Sequence, residues 1–277
     1  MQGWLAGALL GQPPHELHIG KGTEAMRERR FDAAIKEFTR AVVLSPRSGR
    51  AHLLLGEAYL ATGAPGLLAE AKAEFQQARE LTPALSTASF YIAKIDLDLG
   101  RLDRAEREIA RTPPSPYLDA LLGEVRRQQG RPGDAVRLTS KALAAAPDVS
   151  LFLYYRALAH WDDDHHETAA LADLARSADQ TPEMHMLAAR IHLWHRRPVE
   201  AEASARRSLA LGESAEAYLR LAQVHRLRDA RAAVREALGK FRGAPQLPSV
   251  HFERLSEEAD REEAWLAGGS SGSPLRR

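Results

Sequence analysis

Small residues recur along this 277-residue chain at a nearly constant interval, and nothing else in the sequence constrains the fold as strongly. Gly22, Gly56, Ala93, Gly123, Ala157, Ala189 and Ala222 are separated by 34, 37, 30, 34, 32 and 33 residues. A second set (Ala34, Ala71, Ala105, Ala135, Ala169, Ala201 and Ala230) trails the first by 12 residues in five of seven cases. Pro46, Pro83, Pro147 and Pro182 form a third set, which reads as the end of each unit because proline cannot continue a helix. Small side chains let two helices cross at short distance. Each unit therefore reads as a helix A carrying the first marker and a helix B carrying the second. Turn signals separate them at Gly63-Ala64-Pro65-Gly66, Gly100-Arg101, Gly130-Arg131-Pro132-Gly133 and Arg197-Pro198. Within the second unit, Leu55, Ala58 and Tyr59, then Ala71, Phe75 and Ala78, recur at helical spacing. One hairpin buries only one flank by itself. Stacked neighbours complete the core, which predicts an all-α solenoid of about seven hairpins.

These markers resemble the tetratricopeptide repeat (TPR) family. Gly56, Tyr59, Ala71, Phe75, Ala78 and Pro83 match its pattern in repeat two, after a three-residue insertion in the turn. Gly22, Ala34, Phe38, Ala41 and Pro46 match it in repeat one, and Gly123, Ala135, Ala142 and Pro147 in repeat four. The resemblance implies a right-handed superhelix with a concave groove that holds extended peptides or partner helices. The expected layout is an N-terminal apolar segment at 1–14 and repeats near 15–48, 49–85, 86–115, 116–149, 150–181, 182–214 and 215–242. A capping helix at 249–266 and a flexible tail at 267–277 follow. Repeat three is short, and Thr112-Pro113-Pro114-Ser115-Pro116 replaces its last turn, so residues 111–117 are expected to form a joint. The final helix is expected to start at a Ser249 cap and to bury Phe252, Leu255, Ala259 and Leu266. Residues 183–242 carry twelve Lys or Arg against seven Asp or Glu, and residues 249–266 six Asp or Glu against two Arg. The last helix is thus expected to dock partly by charge.

Composition removes several classes of chemistry. The chain has no cysteine, which excludes disulfides, thiolate metal sites and cysteine nucleophiles. A net charge of +1 gives no general field for nucleic acid. The apolar run Trp4–Leu10 is about half the length a bilayer needs, and reads as a short cap on the first repeat. Gly20-Lys21-Gly22-Thr23 lacks the first glycine and the strand of a phosphate loop. His15-Glu16-Leu17-His18 is one residue short of a zinc helix. Asp162-Asp163-Asp164-His165-His166-Glu167, with His160, is the densest set of potential ligands; it falls in a turn, where aspartate caps helices. His185, His192 and His195 could share a face of one helix. None of these forms a catalytic constellation, so no enzyme activity, cofactor or metal is expected; a metal-dependent enzyme using Asp162–Glu167 is the distant alternative.

The expected function is non-catalytic protein binding. Residues at the family's groove positions include Tyr117, Glu124, Arg127, Tyr154, Leu158, Trp161, Met186, Arg190, Trp194 and Arg226. Aromatics mixed with arginines are the composition of interface hot spots. Tyr154, Trp161 and Arg190 are the expected anchors, with an acidic partner residue for Arg190. Trp161 also lies one residue from a core position and could instead pack between hairpins. Repeats one to three offer the thinner set Arg50, Glu57, Phe90 and Lys94. The Lys and Asn pattern with which some family members grip a C-terminal carboxylate is absent: its places hold Ile19, Thr23, Leu54, Thr87 and Tyr91. The expected partner is a peptide or helix of another protein, or a second copy of the chain. The expected location is the cytoplasm; the alternative is an envelope-associated assembly factor anchored through a longer N-terminus.

Overall fold

The computed structural model describes residues 13–244 and 250–268. Among these residues it contains fifteen α-helices, one 3-10 turn and no strand. The helices are α1 (Pro14–Arg27), α2 (Phe31–Leu44), α3 (Gly49–Ala61), α4 (Leu68–Leu81), α5 (Ser86–Asp98), α6 (Leu102–Ala110), α7 (Pro116–Gln128), α8 (Pro132–Ala145), α9 (Ser150–Asp162), α10 (Glu167–Arg176), α11 (Pro182–Trp194), α12 (Pro198–Leu211), α13 (Ala215–Leu227), α14 (Arg231–Gly243) and α15 (Val250–Leu266). The 3-10 turn, Pro65–Leu67, accommodates the three-residue insertion of repeat two. Consecutive helices pack in pairs from α1 with α2 to α13 with α14. Trp4–Leu10, Ser249 and the tail beyond residue 268 lie outside the described residues, as does the side chain of Phe252.

The repeat interval has a steric cause. Each first-set residue is buried on the first helix of its pair. The residue it must accommodate sits two turns into the second helix. Where that residue is Phe38 or Phe75, the facing position is glycine: a Cβ on Gly56 would lie 2.7 Å from the Phe75 ring, and one on Gly22 would collide with Phe38. Where the equivalent residue is Ile109, Leu174, Ala205 or Leu238, alanine occupies the first helix. Repeat four pairs Gly123 with β-branched Thr139, whose Cγ2 would come within 2.9 Å of an added Cβ.

The second-set markers need correction at two places. The fourth residue of each second helix is buried: Ala34, Ala71, Ala105, Ala135, Ala170, Ala201 and Val234. Ala170 and Val234 therefore hold the positions expected for Ala169 and Ala230. Ala230 instead precedes α14 as its N-cap. Pro182 is also corrected. Pro46, Pro83 and Pro147 follow second helices, whereas Pro182 is the first residue of α11, where its missing N–H costs nothing.

The turns within hairpins share one device. In repeats one, three, four, six and seven a left-handed residue ends the first helix: Arg29, Gly100, Gly130, Arg196 and Asp229, with φ between 53° and 76°. The following N–H bonds back five residues, as from Arg131 to the Arg126 carbonyl at 2.9 Å and from Arg197 to His192 at 2.8 Å. This closes the last turn and launches the second helix without a side-chain cap. In repeat five two successive left-handed residues, Asp164 and His165, do this work. The aspartate cap expected in this turn, from Asp164 or its neighbours, is absent; His166 is the N-cap of α10, and its side chain makes no cap bond.

The chain divides into two compact units, residues 1–115 and 116–277. The division falls within the expected joint, after the nine-residue α6 and its proline run. In the first unit, Ala25, Ala34, Phe38, Leu55 and Ala58 form one core cluster, and Ala71, Phe75, Ile92 and Ile95 another. In the second, Met186, Ala189, Ala205 and Ala217 lie between hairpins. At its end, Leu255 and Ala259 of α15 join Leu219, Val234, Leu238 and Phe241 of the last pair.

Candidate functional site

The first helices of the second unit, α7, α9, α11 and α13, carry the residues expected to meet a partner. Their periodicity places three of them in the core. Leu158 and Met186 are buried, and Trp161 is only 4% exposed. Trp161 packs edge-on to Trp194 with ring centroids 6.0 Å apart, and lies 4.5 Å from His165 and 6.2 Å from His195. This is packing between hairpins, so the indole has little surface to offer a ligand.

Two arginines are committed to neighbours. Arg127 hydrogen-bonds Glu124 through Nε at 2.7 Å and Nη2 at 2.6 Å, and also pairs with Asp162. Burial would lower its pKa, but these two carboxylates outweigh burial and raise it. Arg226 faces both oxygens of Glu262 at 3.1 Å and lies 5.5 Å from the Trp265 ring, so α15 covers it. The last helix does dock by charge, as the composition predicts. Arg220 holds Glu258 and Glu216, and Arg242 bonds Asp260 at 2.6 Å.

Four expected residues remain accessible. Tyr117 is 48% exposed, with its ring edge-on to Phe152 at 5.0 Å. Trp194 is half-buried at the rim of the indole–imidazole cluster. Tyr154 and Arg190 are also half-buried, and neither side chain makes a hydrogen bond or ion pair among the described residues. Burial, then the charges of Glu216 and Glu124, raises the Tyr154 pKa.

The corresponding face of the first unit is internally paired. Tyr91 bonds Glu57, and burial raises the pKa of that carboxyl and pushes the Tyr91 hydroxyl up to about 12. Lys94 bonds Asp98 at 2.6 Å, and Arg50 reaches Glu16 at 3.2 Å.

Sequence reasoning missed the histidines that complete the aromatic cluster. His165 lies between Trp161 and Trp194, and its Nδ1 donates to the Trp161 carbonyl at 2.8 Å. The 33-residue separation of the two tryptophans matches the repeat interval, and was the available signal.

The potential metal ligands do not converge. Asp162 is held by Arg127, and Glu167 by Arg197 and by His195 at 3.0 Å. Among the described residues no three histidine, aspartate or glutamate side chains are grouped to hold a metal. Gly20-Lys21-Gly22-Thr23 lies inside α1, as does His15-Glu16-Leu17-His18, whose His18 bonds Glu37 at 2.7 Å. No described helix is long and apolar enough to cross a membrane.

Paired helices repeated in this way, with a steric marker at each crossing, define an α-helical hairpin-repeat protein. A family model for the tetratricopeptide repeat matches residues 19–67 and 121–185, and the chain is a tetratricopeptide repeat protein. Such domains are generally protein–protein interaction modules. Solved structures share the fold at low identity. A tetratricopeptide repeat protein from Parabacteroides merdae is 15% identical, with a TM-score of 0.63 over 82% of this chain and 89% of its own. Pseudomonas aeruginosa pilF is 15% identical, with a TM-score of 0.54 over 80% and 95%. The human IFIT1 dimer with PPP-AAAA is 13% identical, with a TM-score of 0.70 over 87% and 62%. No curated protein sequence matches the chain.

Proposed function

We propose that this chain is a non-catalytic scaffold, and that the first-helix face of its second unit holds a peptide or helical segment of a partner protein. One observation carries this reading. Tyr154 and Arg190 stand half-buried on that face with uncommitted polar groups, while the equivalent face of the first unit satisfies its own. A buried-rim tyrosine and arginine supply apolar contact and hydrogen-bond donors at low entropic cost, as interface anchors do. Tyr117 and Trp194 extend the same face with exposed ring surface. Trp161 supports this face from beneath. The partner is a soluble protein of the same compartment, which we take to be the cytoplasm.

The test separates binding from folding. Tyr154→Ala and Trp161→Ala are compared for thermal stability and for capture of the partner recovered with the intact chain. Trp161→Ala is expected to melt early, by about 3 kcal/mol for a buried indole. Tyr154→Ala is expected to keep most of its stability and lose the partner. A Tyr154→Ala variant that folds normally and captures the partner unchanged would place the binding face elsewhere.

A further inference from the structure

The first unit contains a cleft with a volume of about 260 Å³. Its walls are Arg79 of α4, Pro83, Ser89 of α5, and Arg111, Thr112 and Pro113, which follow α6. Both arginines are tied to one carboxylate. Arg79 Nη1 reaches the two oxygens of Glu108 at 3.1 and 2.9 Å, and Arg111 Nη2 bonds the same group. Glu108 is only 3% exposed, and it is the one acidic side chain paired with either arginine among the described residues. No carboxylate lines the cleft itself. Two guanidinium groups therefore answer to a single negative charge, and one positive charge is left over.

The donors are left over as well. Glu108 occupies one terminal nitrogen of each arginine, so Nε and Nη2 of Arg79 and Nε and Nη1 of Arg111 make no bond among the described residues. Ser89 is 3% exposed, lines the cleft, and makes no side-chain hydrogen bond among the described residues. Thr112 is spent: its hydroxyl donates to the Glu108 carbonyl at 2.7 Å. Pro83 and Pro113 have no N–H to offer, and give the cleft apolar walls. Burial, and then the charge of Arg79, lowers the Arg111 pKa, in keeping with two cations that are only half compensated. Helix ends pull both ways. The start of α5, where Ser89 is the fourth residue, favours an anion, and the ends of α4 and α6 oppose one. The guanidinium groups decide the sign.

We propose that this cleft is an oxyanion site that takes a phosphate group, held by the free edges of Arg79 and Arg111 and by the Ser89 hydroxyl. The donors come from three side chains on three successive segments, so they approach a ligand from different directions. A tetrahedral oxyanion presents acceptors in all of them, whereas a planar carboxylate is satisfied by one guanidinium fork. Prior attachment to Glu108 holds both forks in place before the ligand arrives. The site belongs to the first unit and does not rest on the partner-binding reading of the second.

The experiment titrates the full 277-residue chain with inorganic phosphate, followed by phosphorus NMR at constant ionic strength in chloride. Saturable binding is expected. Arg111→Gln leaves Glu108 its Arg79 partner, so it is expected to melt like the parent and to weaken phosphate roughly tenfold, the loss of one charge-assisted contact. Ser89→Ala removes a neutral donor without touching the ion pairs, and is expected to weaken phosphate about threefold. Arg104→Gln, an exposed arginine on α6, makes the same change of charge outside the cleft and is expected to change nothing. A second titration, with N-acetyl-phosphoserine amide, separates the sources: binding of phosphate alone identifies the free ion as the ligand, and binding of both identifies a phosphoryl group carried by a protein. Absence of binding by either would overturn the proposal. So would unchanged affinity in both Arg111→Gln and Ser89→Ala, or acetate binding as tightly as phosphate.

Discussion

At Gly56 a methyl group would sit 2.7 Å from the edge of the Phe75 ring, closer than packed carbon atoms tolerate. The two positions are thus one steric unit, divided between two helices. Gly56→Ala is expected to destabilise the first unit by about 2 kcal/mol, the usual cost of overpacking a core. Adding Phe75→Leu should recover part of that loss, because the equivalent pair in repeat seven is already Ala222 with Leu238. Urea denaturation of the single and double variants measures this. If the double variant is no more stable than Gly56→Ala alone, the ring is not what glycine is accommodating. The residue scale also shows where reading stopped. Gly100 and Gly130 announced their turns because glycine favours positive φ. Arg29, Arg196 and Asp229 occupy the same left-handed position, at φ of 58°, 54° and 53°. Nothing in an arginine signals that role; the return bond to the carbonyl five residues back imposes it from the surrounding turn.

At the scale of elements, α15 is held by both of the forces available to it. Leu255 and Ala259 join the apolar cluster of α13 and α14, while Glu258 and Glu262 meet Arg220 and Arg226. Glu262 is almost fully buried; burial raises its pKa, and Arg226 opposes that rise. Removing one member of such a pair strands the other away from water. Glu262→Ala is expected to cost about 3 kcal/mol, expressed locally as loosening of α15. Faster amide hydrogen exchange in residues 253–266, with α7–α12 unchanged, would show this. Unaltered exchange in α15 would mean that the apolar contacts suffice. Charge asymmetry between the two segments made this docking legible beforehand. The individual partners were not legible, because any of the twelve basic side chains of residues 183–242 could have met any of the six acidic ones until helix rotation was known.

Over the whole molecule the weak point lies where α6 stops after nine residues and prolines occupy its last turn. Repeat proteins are stabilised by interfaces between neighbours, so a repeat with a shortened second helix is expected to transmit cooperativity less well. The boundary between the two compact units falls at that place in the chain. They are expected to open separately in mild denaturant, with different exchange free energies for α1–α6 and α7–α15. Hydrogen exchange followed by mass spectrometry reads both units in one sample. A single coincident opening across all helices would show that the units fold as one.

The periodic markers alone determined that this chain forms paired helices and how many pairs the described residues contain. Those are consequences of local sterics: small residues at crossings and prolines at ends act within one hairpin and its neighbour. The candidate binding face depended on something periodicity does not carry. Tyr154 and Trp161 stand two turns apart on α9, and the repeat pattern assigns both to one face. Only packed neighbours distinguish them, because Trp194, His165 and His195 close over one ring and leave the other with a free hydroxyl. The same holds for Arg190 and Arg226. Each is an arginine on a first helix, and α15, distant in sequence, supplies a carboxylate to Arg226 and a second arginine to the neighbourhood of Arg190. Whether a side chain is structural or available is a property of what lies across from it, and that is decided by tertiary structure.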